Sequence, residues 1–378
     1  MTGPEEPLGF TAPDYGGRSL ADVVPSVAGA LGLVLPDRPA TIELPSAPAY
    51  VLFLIDGLGA ELLARYAHAA PYLSSLVTDT STGTAGVPST TATSLTSLGT
   101  GLAPGAHGLV GYTARIPGTD RLLNHLGWDA AVDPLQWQPH PTAFATLARA
   151  GAHVTSVNKR DFAGSGLTVA SQRGATYVGA DKVGERIAAA VAASAEQPSL
   201  TYVYDSDLDW TGHKFGVASS QWLQQLAMVD AEAEQLREAL PRHARLLVVA
   251  DHGMVDSPSA LRTDVDAVDG MRDGVALLGG EARLRHVYCA TGAVADVVAT
   301  WREVLGEQAL VLPREEAVAR GWFGAVDTGV LPRLGDVVVA SRGEAAVVST
   351  RDFPYENTLV GLHGSLTPTE MLIPLLVD

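Results

Sequence analysis

Apolar residues in this chain come in short runs that stop at acids. "YVLFLIDGLG" ends its run at Asp56, "SLTYVYDSDLDWTGH" enters a polar stretch at Asp205, and "ARLLVVADHGM" ends at Asp251 and His252. Apolar runs of this length, bounded by turn-forming residues, predict buried strands. Between them lie helical periodicities, "GAELLARYAHAA", "DKVGERIAAAVAAS" and "SQWLQQLAMVDAEAEQLREAL". Strands alternating with helices predict an α/β fold with a mostly parallel sheet and helices on both faces. Ligands of such sheets gather at the carboxyl ends of the strands. The three acidic loops are therefore expected to meet.

After "ADHGM" the pattern changes. "LRHVYCATG", "AVADVVATWREVLG" and "QALVLP" read as strand, helix and strand. "GDVVVASRGEAAVVST" reads as a hairpin turning at Arg342-Gly343. These predict a small α/β lobe inserted at 258–350 on the substrate side, with residues 1–257 and 351–378 forming the catalytic core. A chain of 378 residues with 47% apolar content can support both.

Charge removes several classes of function. The net charge of -17 argues against binding a nucleic-acid backbone, which needs a basic face. An anionic substrate would need a local reversal of the field, yet the chain has only Lys159, Lys182 and Lys214 as lysines. A single cysteine, Cys289, excludes an internal disulfide and a cysteine-rich metal site. No apolar run reaches the roughly 20 residues of a membrane span. The start, "MTGPEEPLGF", is acidic and lacks the basic and apolar parts of a secretory signal, so a cytoplasmic location is expected.

The candidate chemistry lies at the strand ends. Asp209 and His213 are four apart, Asp251 and His252 are adjacent, and His363 sits in "GLHGS". Taken singly, each has a plainer reading: Asp56 as a helix cap, Asp209 and His213 as a local hydrogen bond, His363 as a packed histidine. His107, after Pro-Gly, reads as a turn-holding residue. Carboxylate oxygens with imidazole nitrogens suit zinc and similar divalent ions. Asp56, Thr91, Asp209, His213, Asp251, His252 and His363 supply enough donors for two ions. Thr91 belongs to "VPSTTATSLTSLGTG", where eight of fifteen residues carry a hydroxyl. Ser89 or Thr90 is expected to cap the helix that follows, and Thr93 to Thr100 to pack and bond within it.

Five pieces, "LIDGLG", "PSTTATSLTSLGTGLAPGAHGLVGY", "DLDWTGHKFG", "ADHGM" and "GLHGSLTPTEMLIPLLV", give the chain a family resemblance. It resembles the alkaline phosphatase superfamily, and within it the nucleotide pyrophosphatase/phosphodiesterase branch, over Leu54 to Val377. The resemblance implies a two-metal hydrolase of phosphodiesters or nucleotides, with zinc as the expected metal. One ion would be held by Asp56, Asp251 and His252 with the nucleophile's oxygen, the other by Asp209, His213 and His363. The nucleophile would be Thr91, with Thr90 as the alternative, and the intermediate a phosphothreonine. Twenty-one residues after Thr91, where many members of the branch have an Asn on a phosphoryl oxygen, this chain has Tyr112.

A charge count bears on the substrate. Two dications balance three aspartates and a threonine alkoxide, which suits the single charge of a diester. A monoester dianion would want another cation, for which Lys159 and Arg160 in "NKRDFAGSGLT", and Lys214, are the candidates. Residues 158–168 are expected to form a substrate-side loop. The nearest rivals are a phosphomonoesterase and a phosphonate hydrolase on the same bimetallic site. The modified [C/S]-x-P-x-R stretch of sulfatases is absent, "FAGSGL" lacks the first glycine of G-x-S-x-G, and no G-x-x-x-x-G-K occurs.

Overall fold

The structure, a computed structural model, describes residues 9–378. The reading of the amino terminus therefore lies mostly outside the described residues. The seven residues of β1 (Ala49–Ile55) are buried without exception. A strand apolar on both faces is stable only with helices on both sides. That is where β1 sits: it pairs in parallel with β5 (Ser199–Asp205) on one edge and β6 (Ala244–Val249) on the other. Beyond β5 lie β3 (His153–Asn158) and β4 (Thr176–Gly179), also parallel. Beyond β6 lie β11 (Leu372–Val377) and β2 (Thr82–Thr84), both in antiparallel pairings. The seven-stranded order is β2-β11-β6-β1-β5-β3-β4.

Register places the polar strand ends together. Ile55 pairs with Asp205, and Leu54 with Val249, so Asp56, the loop after Asp205 and Asp251 leave the sheet at one level. β11 runs the other way, with Leu375 opposite Val249. The chain must therefore approach β11 from that same end, which lays residues 363–371 over it.

A second sheet holds β7 (Val275–Glu281), β8 (Leu284–Cys289), β9 (Ala309–Pro313) and β10 (Val337–Ser341), in the order β7-β8-β10-β9. Its pairings are all antiparallel. Side chains alternate between faces along a strand, and β10 uses both. Val337 and Val339 join the helix Val294–Leu305, whose Trp301 is fully buried. Val338 and Ala340 join the main core. The expected hairpin at Arg342-Gly343 does not form. Ala346–Val348 instead pairs in parallel with Arg262–Asp264, and the Val347 N–H donates to the Ala282 carbonyl at 2.8 Å. A period-2 apolar pattern reports that a segment is a strand and carries no information on its partner.

Buried ion pairs tie the second sheet to the carboxyl end of the first. Arg283 binds Glu370 through Nη2 at 2.6 Å and Nε at 3.0 Å, with both side chains fully buried. Glu370 also accepts from the Ser365 N–H at 3.0 Å and the Thr367 hydroxyl at 2.5 Å. Arg285 likewise binds Glu356. No helix among the described residues is long and apolar enough to cross a membrane.

Removing one member of such a pair leaves a buried charge without compensation. Arg283→Ala is expected to cost about 3–5 kcal/mol in urea denaturation. The double variant Arg283→Met/Glu370→Leu should recover only part of that loss, because the Ser365 N–H and the Thr367 hydroxyl lose Glu370 as acceptor. A single variant within ~1 kcal/mol of the parent would show the pair to be dispensable.

Candidate metal centre and active site

Local geometry explains how each donor is aimed. Asp209 and His213 lie on the helix Asp207–Phe215, one turn apart and so on one face. His213 Nε2 is 3.4 Å from Asp209 Oδ2, and His363 Nε2 is 3.8 Å from Asp209 Oδ1. On the neighbouring side, His252 Nε2 is 3.6 Å from Asp56 Oδ1, 3.4 Å from Asp251 Oδ2 and 3.3 Å from Thr91 Oγ1. Asp56, Asp209 and His252 each offer an atom within 4.8 Å of the others, as do Asp209, His213 and His363. Asp209 therefore belongs to both groups. Gly57, at φ +77°, makes this approach possible, since a Cβ there would stand 3.1 Å from Asp209 Cα.

The three histidines share one orientation. His213 Nδ1 donates to the Gly361 carbonyl at 2.7 Å, His252 Nδ1 to Gly253 at 3.0 Å and His363 Nδ1 to Ser89 at 3.0 Å. A carbonyl only accepts, so each Nδ1 carries the proton and each Nε2 presents a lone pair to the centre. Two such nitrogens, on His213 and His363, face each other at 3.2 Å. The His252 and His363 rings stack with centroids 3.7 Å apart.

The carboxylates are left with unused oxygens. Asp56 Oδ1, Asp209 Oδ1 and Asp251 Oδ2 are buried and have no hydrogen-bond partner. Their other oxygens are anchored or face a ring: Tyr204 donates to Asp56 Oδ2, the Gly57 and His252 N–H groups donate to Asp251 Oδ1, and Asp209 Oδ2 faces His213. Burial raises all three above the ordinary carboxylate value, and the charges of Asp251 and Asp209 raise Asp56 further. Burial lowers His252 and His363, the latter well below the ordinary value. Orphaned carboxylate oxygens beside unprotonated imidazole nitrogens are a donor set for divalent cations, and a cation would reverse the carboxylate shifts and lower the imidazoles further.

Thr91 opens the helix Thr91–Thr100 at its amino end. Thr90 is the N-cap by position, but its hydroxyl makes no capping bond, and Ser89 Oγ donates to the Ser365 carbonyl at 2.6 Å. Sequence reasoning expected one of the two hydroxyls to cap. Both instead belong to the surroundings of the site. Within the helix, Thr96 and Thr100 donate to carbonyls one turn back. Ser94 donates to the Asp251 carbonyl at 2.9 Å, which fixes the helix against β6. Ser97 meets Nε2 of the buried His107 at 2.9 Å.

Two cavities flank the centre and share Thr91, Leu126, Asp209 and Trp210. One, of about 690 Å³, is lined by Asn158, Lys159, Phe162 and Ser165 from the loop after β3. Lys159 Nζ donates there to Ser206 at 2.8 Å and Asp207 at 2.7 Å. The other, of about 490 Å³, is lined by Tyr112, Glu281, Tyr355, His213 and His363. Tyr112 Oη accepts from Asn124 Nδ2 at 2.6 Å and also hydrogen-bonds the Tyr355 side chain. Arg160 is brought to neither cavity. It pairs with Asp181 and Glu185 in the open.

Tyr204, Glu281 and Trp210 escaped sequence reasoning. Tyr204 ends a strand just before an acid and carried only a packing signal. Glu281 lies in "LLGGEARLRH", where two glycines were the sole hint of a close approach.

Comparisons with known proteins identify the family and the fold. The model of the family described as type I phosphodiesterase / nucleotide pyrophosphatase matches residues 50–366. An inactive Thr-to-Ala variant of murine ectonucleotide pyrophosphatase / phosphodiesterase 5, in complex with AMP, is similar at a TM-score of 0.67 and 18% identity. The match covers 87% of each chain. The human protein of the same name is similar at a TM-score of 0.66 and 17% identity, with the same coverage. A search of curated proteins by sequence gave no match.

The raised carboxylates make a prediction for the cation-free protein. A group raised on folding contributes stability that is complete below its unfolded value and lost as the pH rises through the folded one. Asp56, Asp209 and Asp251 should therefore weaken chelator-treated protein as the pH climbs from their ordinary 3.8 through the raised values. Added zinc or manganese should raise the melting temperature, and by more at about pH 8 than at about pH 5, because protons compete for the same oxygens. Equal melting curves with and without divalent cations would refute the metal assignment.

Proposed function

Because the chain belongs to the type I phosphodiesterase / nucleotide pyrophosphatase family, we propose that Thr91 is its nucleophile and that two divalent cations complete the site. The protein is a phosphoric ester hydrolase. The observation that carries the reading is the convergence of three orphaned carboxylate oxygens and three Nε2 lone pairs beside the Thr91 hydroxyl.

Asp56, Asp251 and His252 would hold one cation with Thr91, and Asp209, His213 and His363 the other. Asp209 lies near Asp56 and His252 as well, so its carboxylate would be available to either cation. When bound, such a pair favours the ionised form of a coordinated hydroxyl and neutralises charge on phosphoryl oxygens. We take zinc as the metal from the ligand types, three imidazoles and three carboxylates.

The chain's own residues do the rest. The Thr91 oxygen attacks phosphorus in line, the bond to the departing alcohol breaks, and the phosphoryl group is carried as phosphothreonine until water displaces it. The first-turn N–H groups of Thr91–Thr100 lack helical acceptors and can receive a phosphoryl oxygen. The Tyr112 hydroxyl, which also meets Asn124 and Tyr355, lines the cavity beside Thr91 and is a second candidate donor to a phosphoryl oxygen. Tyr204 holds Asp56 so that its second oxygen faces the centre.

Charge favours a diester. Lys159 is neutralised by Asp207, and Arg160 by Asp181 and Glu185. Lys214 is exposed, over the Trp210 ring at 4.7 Å. Of the three, only Lys214 has no acidic partner among the described residues, and it is held over an aromatic ring at the exposed edge of the cavity. The 690 Å³ cavity has room for a nucleoside or similar arm, and the AMP complex of the murine neighbour supports a nucleotide as substrate.

Thr91→Ala should lower turnover of bis(p-nitrophenyl) phosphate by at least about a thousandfold, with metal content retained. Thr90→Ala should retain most of the activity. Substantial turnover by Thr91→Ala would exclude this residue as the nucleophile. Wild-type protein without diesterase activity under zinc or manganese would overturn the reading as a whole.

A further inference from the structure

The smaller cavity has a floor that the chemistry above does not use. Glu281 ends β7 and is buried, and although the Thr90 side chain and the Tyr112 backbone approach its carboxyl, neither oxygen makes a hydrogen bond of good geometry. The fold makes room for it. A Cβ on Gly364 would stand 2.7 Å from Glu281 Cγ and 2.9 Å from Cδ, and one on Gly111 would stand 3.5 Å from Oε1. Gly364 follows His363, so this carboxyl reaches to within one residue of the centre's own donors.

We propose that Glu281 is the polar anchor of a subsite that binds a hydroxyl-bearing alcohol arm of the diester, a polyol such as glycerol. The inference rests on the reading of the centre as a diesterase. A buried polar group left without a partner costs on the order of 1–3 kcal/mol. A ligand hydroxyl that reaches it removes that penalty, whereas an alkyl arm leaves it in place.

Three observations choose the polyol. First, Glu281 offers two buried carboxyl oxygens at this cavity, so two hydroxyls of one arm can each donate to it. Second, of the residues lining this cavity, only Lys214 is a lysine or arginine. It is exposed over Trp210, and Arg285, near Glu281, is bound to Glu356. An arm carrying a further phosphate would meet carboxyls rather than cations. Third, the walls are Tyr112, Tyr355, Trp210 and Leu362, which suit the carbon face of a small polyol. The cavity borders Thr91 as well as Asp209, His213 and His363, so an arm of a diester held at the centre can reach it.

The test compares glycerophosphoglycerol with di-n-propyl phosphate, which differ in hydroxyl groups and little in size. The wild-type protein should prefer the former in kcat/KM. In Glu281→Leu that ratio should fall about tenfold to a hundredfold. A fall of less than about fivefold overturns the subsite. Glu281→Gln keeps a carbonyl acceptor of the same reach in place and should stay within about threefold of the wild-type ratio. A loss in Glu281→Gln equal to that in Glu281→Leu also overturns it. Metal content and turnover of bis(p-nitrophenyl) phosphate distinguish the two failures. Turnover with an unaltered ratio removes the subsite alone, while no turnover by the wild type removes both readings.

Discussion

Three carboxylates share one desolvated volume at the ends of adjacent parallel strands, and the rest of the molecule is arranged around that constraint. Like charges so placed repel, and burial strengthens the repulsion. A chain spared this burden would spread them apart. Here register fixes Asp56 and Asp251 on neighbouring strands, and a helix carries Asp209 across to them. The unused oxygens are thus a property of the backbone path, and only positive charge makes the path tolerable.

The supporting structure resists that repulsion from outside. Arg283 grips Glu370, which in turn fixes Ser365 and Thr367. This belt holds the segment that carries His363. Arg186 does similar work beneath β5, bridging Glu232 and Asp205 in full burial. The same segment contributes the carbonyl that receives Ser89. The nucleophile's turn and one imidazole are therefore positioned by a common set of bonds, with Ser94 and the Asp251 carbonyl as a second link.

Much of this was legible before any coordinates. Apolar runs that stop at Asp56, Asp205 and Asp251 carry strand, direction and site in one pattern, because parallel strands end on one edge. The donors were readable for a related reason. Adjacent polar residues after an apolar strand, as at Asp251-His252, are costly unless used. Other features left no such mark. Arg160 and Lys159 look alike in sequence, and only the fold sends one into the open and the other to Asp207. The pairing of Ala346–Val348 depends on which edge is vacant, which is a tertiary fact. Glu281 looks like any acid in a strand until Gly111 and Gly364 are seen to leave space for it.

The two-faced strand β10 carries a consequence for how selectivity could be moved between proteins. Val337 and Val339 belong to one apolar cluster, Val338 and Ala340 to the other. The second sheet accordingly has no hinge of its own and is no detachable cap. A graft of residues 258–350 onto a different scaffold would import one half of an interlocked surface without its mate. Transplanting the mouth of this enzyme requires transplanting its underside as well.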